Sequence, residues 1–93
     1  MTVLDNATAD ERLAKLSGWE RDGAEISKTY TLKDFAEALV FVNQVGGLAE
    51  ERNHHPDIDI RWNKVTLALS THSEGGLTNA DFDLAETIEA LAG

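Results

Sequence analysis

The chain has no cysteine and a single proline, Pro56, among its 93 residues. Without thiols there is no disulfide framework, no zinc-finger ligation and no thiol nucleophile. Basic side chains are scarce: 8 Lys and Arg stand against 17 Asp and Glu, a formal net charge of −9. That balance repels phosphate backbones and anionic membranes, so neither direct nucleic-acid binding nor a membrane-surface role is expected. Also missing is any run of ~18 apolar residues able to cross a bilayer. Residues 1–6 lack the basic start and apolar stretch of a secretory signal. No repeat, low-complexity tract or Pro/Gly/Ser-rich linker divides the chain. The expectation is one cytoplasmic domain spanning 1–93, small enough that oligomerisation would usefully reinforce its core.

What is present is well punctuated. Thr8…Glu11, Thr31…Asp34 and Thr78…Asp81 have the form of capping boxes, in which a Thr hydroxyl caps a helix and an acid three residues on bonds back. They predict helices over about 9–16, 32–51 and 79–91. The first would turn Leu13 and Leu16 inward. The second repeats Phe35, Ala38, Leu39, Val42, Val45 and Ala49 on one face; Gly46-Gly47 inside it implies either a close backbone approach or a break. The third repeats Leu84, Ala85, Ile88, Leu91 and Ala92. Between the helices lie two hairpins. Asp22-Gly23 is a type I′ turn signal, and Asn63-Lys64 a weaker one with Asn63 in the left-handed conformation. Ile58, Ile60 and Trp62, then Val65, Leu67 and Leu69, alternate with polar or small residues as half-buried strands do. The predicted fold is α+β, a four-stranded antiparallel sheet from two hairpins with three helices on one face, in the order α-β-β-α-β-β-α.

All three histidines lie in the second half of the chain. His54 and His55 precede the third strand and His72 follows the fourth. Pairing through an Asn63-Lys64 turn sets Asp57 opposite Ser70, so the two loops leave the sheet side by side and bring the imidazoles together. Three readings are open: exposed loop histidines in structural hydrogen bonds, a three-histidine zinc site, or metal-free acid–base catalysis, for which an unperturbed pKa of ~6.5 suits imidazole. Asp81 either closes the Thr78 capping box or orients His72. Glu50, one turn before His54, reads as a solvated helix end. Gly75-Gly76 makes a turn into the last helix or admits a flat ligand.

Glu50-Glu51-Arg52-Asn53-His54-His55-Pro56-Asp57, Asn63-Lys64-Val65, and the stretch from Leu69-Ser70-Thr71-His72-Ser73-Glu74-Gly75-Gly76-Leu77-Thr78 to Asp81 resemble the pterin-4a-carbinolamine dehydratase family. The resemblance runs from about Trp19 to Leu91. It implies the same α+β order and dehydration of a 4a-hydroxytetrahydropterin to quinonoid dihydropterin, which recycles tetrahydropterin cofactor. It also implies catalytic roles for His54, His55 and His72, substrate contacts at Pro56, Asp57, Thr71, Ser73 and Glu74, and Asp81 orienting a histidine. No metal or organic cofactor is implied. A homodimer or homotetramer is, with the pterin as small-molecule partner. Animal members carry an aromatic two residues after the proline; here it is Ile58, with Trp62 as the aromatic that could replace it. The alternative within the family is a non-catalytic binding, assembly or dimerisation protein.

Overall fold

The computed structural model describes residues 2–92. The elements, in chain order, are α1 (Asn6–Leu13), β1 (Glu20–Asp22), β2 (Glu25–Thr31), α2 (Phe35–Arg52), β3 (Asp57–Arg61), β4 (Lys64–Leu69), a short 3-10 turn (His72–Glu74) and α3 (Asn79–Ala92). The strands form one antiparallel sheet in the order β1-β2-β4-β3, so the two hairpins meet through their second strands. Side chains alternate across it. Ile26, Val65, Leu67 and Leu69 are fully buried on one face against Ala38, Val45, Phe82, Leu84, Ala85 and Ile88 of the helices. The opposite face carries Ser27, Thr29, Thr66 and Ala68, and the Thr29 and Thr66 hydroxyls bond across it at 2.8 Å.

The first two helices begin where an acid, not a threonine, caps. Asp5 caps α1, accepting from the Thr8 N–H at 2.8 Å, three residues ahead of the expected start. Asp34 caps α2, accepting from the Glu37 N–H at 2.9 Å, while Thr31 pairs with Lys64 as the last residue of β2. A carboxylate at an N-terminus meets both the free N–H groups and the positive end of the helix dipole. The Thr8 N–H bond accordingly holds the Asp5 carboxyl below its ordinary pKa. The third box forms as expected: Thr78 accepts from the Ala80 N–H at 3.2 Å, and Asp81 accepts from the Thr78 N–H at 2.9 Å.

The second helix is rotated from its predicted face. Ala38, Phe41, Val45 and Ala49 are buried, whereas Phe35 and Leu39 are 47% and 40% exposed. Phe41 wins because its ring packs on Tyr30 of β2, with centroids 4.9 Å apart. Gly46 and Gly47 do not break the helix, and among the described residues nothing lies within 4 Å of a β-carbon at either position. In α3, Phe82 joins the core in place of Leu91, which is 38% exposed near the helix end.

Both turns close one residue away from their predicted positions. Asp22 pairs with Glu25, so the first loop is Gly23-Ala24, with Gly23 at positive φ, +60°. Arg61 pairs with Lys64, so the second loop is Trp62-Asn63, and Trp62 instead of Asn63 takes positive φ, +51°. Asn63 is committed elsewhere: its side-chain amide donates to the Leu32 carbonyl at 3.0 Å and its own carbonyl accepts from the Leu32 N–H at 2.8 Å. The register that results sets Asp57 against Ala68, two residues from the expected Ser70. An even slip keeps every side chain on its predicted face.

Candidate active site

The loops on either side of the β3–β4 hairpin emerge at one end of the sheet, and their shapes follow from short-range chemistry. Asn53 ends α2 in the left-handed conformation, φ 49° and ψ 43°, which asparagine tolerates better than other non-glycine residues. Its N–H returns to the Glu50 carbonyl at 3.2 Å and that of His54 to the Ala49 carbonyl at 3.1 Å, so the chain reverses and delivers His54-His55-Pro56 beside the start of β3. After β4, Thr71 pairs with Gly76 across a closed loop, and the Thr71 carbonyl accepts from the N–H groups of Glu74 and Gly75, each at 3.0 Å. Gly75, at φ +75°, allows that reversal. A β-carbon on Gly76 would lie 2.8 Å from Val3 Cγ1, because the N-terminal arm crosses here, with the Leu4 N–H on the Leu77 carbonyl at 2.8 Å.

The base of α3 supplies the anchor between the two loops. Asp81 is 0% exposed. Its Oδ2 accepts from the Thr71 hydroxyl and the Thr78 N–H, both at 2.9 Å, and its Oδ1 lies 2.6 Å from Nε2 of His54. The Thr71 and Thr78 hydroxyls are themselves 2.8 Å apart. One carboxylate therefore closes the helix cap, holds the strand exit and fixes an imidazole. Arg12 of α1 fastens α3 from outside, donating to Asn79 at 2.8 Å, Asp83 at 3.0 Å and Glu86 at 2.7 Å, with its guanidinium over the Phe82 ring.

Asp81 thus turns to His54 and not to His72, against the expectation from the sequence. His72 opens the 3-10 turn with an exposed side chain that makes no hydrogen bond among the described residues. His55 is half exposed, and its Nε2 lies 2.5 Å from Oε2 of Glu50, so the solvated helix end is also a histidine partner. Pro56 is partly buried; Asp57, Ser73 and Glu74 are exposed on the rim. Thr71 is 4% exposed with its hydroxyl spent inward on Asp81 and Thr78. Among the described residues no group of three or more His, Asp and Glu side chains is arranged to hold a metal ion. Trp62 lies at the far end of β3, about 17 Å of extended strand from Asp57. Within one chain it does not stand where the aromatic two residues after the proline was expected, at Ile58. The two partners missed in the sequence, Glu50 for His55 and Thr71 for Asp81, leave only weak signals there: a lone acid at a helix end and a threonine at a strand exit.

Residues 2–91 match the family described as Pterin 4 alpha carbinolamine dehydratase. A Roseiflexus castenholzii protein bearing the name pterin-4-alpha-carbinolamine dehydratase is 56% identical over 89 residues, 96% of each chain. One of the same name from Herpetosiphon aurantiacus is 53% identical over 98% of this chain and 95% of its own. Among solved structures, a transcriptional coactivator/pterin dehydratase from Brucella melitensis is similar with a TM-score of 0.94 and 34% identity, over 99% of this chain and 100% of that one. A pterin dehydratase-like RuBisCO assembly factor of the alpha-carboxysome shares the fold at a TM-score of 0.67 and 24% identity, over 81% of this chain and 87% of that one.

Proposed function

This chain belongs to the pterin 4 alpha carbinolamine dehydratase family, and from that premise we propose that it eliminates water from a 4a-hydroxytetrahydropterin by histidine acid–base catalysis. The reaction needs an acid to protonate the departing 4a-hydroxyl and a base to take a ring N–H proton. The C–O bond breaks, a ring C=N bond forms, the hydroxyl leaves as water, and no electrons are exchanged with a carrier. His54, His55 and His72 are the proton-transfer groups in this reading; Pro56, Asp57, Ser73, Glu74 and the backbone of Thr71 line the pterin. The observation that carries it is the 2.6 Å contact between His54 and the buried Asp81. A carboxylate so placed fixes one tautomer and supports the imidazolium formed during transfer. No metal or organic cofactor enters, and the proposed setting is the cytoplasm.

We also propose that the protein works as a homodimer or homotetramer. In support, the outer edge of β3 pairs with no other strand among the described residues, and Ile58 and Ile60 beside it are each 37% exposed. Phe35, Leu39 and Val40 leave a second apolar area on α2. The test of activity is stopped-flow absorbance with chemically generated 4a-hydroxytetrahydropterin and EDTA present. Acceleration over the uncatalysed loss of water is the expected result. A folded chain that does not accelerate it overturns the reading and favours a binding or assembly protein on the same fold.

A further inference from the structure

Resting on the reading of His54 as a proton-transfer group, we propose that Thr71 is a positioning residue. Its hydroxyl, aimed into Asp81, locks His54 in the Nε2–H tautomer and leaves Nδ1 as the nitrogen free to exchange a proton. The directions of the bonds at Asp81 follow from counting donors. Thr71 has one hydroxyl proton, and it goes to Asp81 Oδ2 at 2.9 Å. The Thr78 hydroxyl lies 2.8 Å from the Thr71 oxygen and braces it. Oδ2 also takes the Thr78 N–H, which turns Oδ1 toward His54. An ionised carboxylate can only accept, so Nε2 carries a hydrogen and, in the neutral ring, Nδ1 keeps its lone pair. Thr71 therefore donates to Asp81 from one side, and His54 enters from the other.

Burial gives this chain its stiffness. Thr71, Thr78 and Asp81 are 4%, 0% and 0% exposed, so water does not readily replace a deleted hydroxyl. Thr71 also adjoins His72, so the same bond ties the strand exit bearing one histidine to the loop bearing another. The hydroxyl faces Asp81 and not the rim, so Thr71 acts through Asp81 on His54.

The experiment compares the full chain with Thr71→Val and Thr71→Ser. Nitrogen-15 NMR of the labelled histidines reports the tautomer, and stopped-flow dehydration reports kcat and KM. The wild type and Thr71→Ser should both hold His54 in the Nε2–H tautomer with similar kcat. Thr71→Val should mix the tautomers and lower kcat about tenfold with KM little changed. A single Nε2–H tautomer and unaltered kcat in Thr71→Val would overturn the proposal, as would a loss that Thr71→Ser fails to restore. If Thr71→Val does not fold, Thr71→Ala removes the same hydroxyl with less bulk. Unfolding of both, beside a folded Thr71→Ser, would make the hydroxyl structural and also overturn it. If the wild type turns over no pterin while the tautomers still respond as expected, the lock stands and the dehydratase reading falls.

Discussion

His54 is bonded to a carboxylate that is 0% exposed, His55 to one whose side chain is 80% exposed, and His72 has no side-chain partner among the described residues. Partners of such different burial hold their rings to very different degrees, since an exposed pair is worth little and a buried one much. Replacing His54 or His72 by alanine should lower the dehydration rate ~10²–10⁴-fold if each moves a proton, with circular dichroism unchanged. Breaking the Glu50 partner is expected to be mild: Glu50→Gln should leave the rate within about threefold, an exposed pair contributing well under 1 kcal/mol. Asp81→Ala combines a lost cap with buried donors left unpaired, and should cost about 3 kcal/mol in a denaturant melt. The sequence brought the histidine loops to one end of the sheet and gave Asp81 its capping role. It could not tell which imidazole Asp81 would meet, because that is decided by the left-handed Asn53 and the closed Thr71–Gly76 loop, whose geometry no periodicity encodes.

Between elements, the predicted order survived because hydrophobic alternation and caps act locally; what shifted was set by tertiary contacts. Two apolar stripes compete on α2, and the Phe41–Tyr30 contact chose between them. Gly46 and Gly47 have open space where a side chain would be, so Gly47→Ala should raise stability by about 0.5–1 kcal/mol. If it instead lowers the melting temperature of the assembled protein, a second copy packs closely on that helix. A polar knot joins β2 to the end of α3: Lys28 donates to Glu89 and to the Ser17 carbonyl, each at 2.7 Å, and the Tyr30 hydroxyl donates to Glu89. Burial alone would raise the Glu89 carboxyl, but the Lys28 and Tyr30 bonds outweigh it and hold it below its ordinary 4.5. The knot therefore contributes stability present above about pH 4.5 and lost as pH falls through the lowered value. Burial first, and then Glu89, push the Tyr30 phenol far up, so its contribution is complete below pH 10 and declines at higher pH. Urea melts across pH should show Glu89→Gln flattening the acid limb and Tyr30→Phe the alkaline one.

For the molecule as a whole, a net charge of −9 and an unpaired, isoleucine-bearing sheet edge pull in opposite directions. Like charge keeps copies apart, and burial of Ile58 and Ile60 draws them together. Sedimentation equilibrium should find more than one copy per particle, with a smaller particle for Ile58→Lys/Ile60→Lys. The most direct test is the rate of loss of water from 4a-hydroxytetrahydropterin with EDTA present, measured side by side for the wild type and a folded His54→Ala. The account predicts marked acceleration by the wild type and little by the variant. Equal acceleration by the two would contradict it.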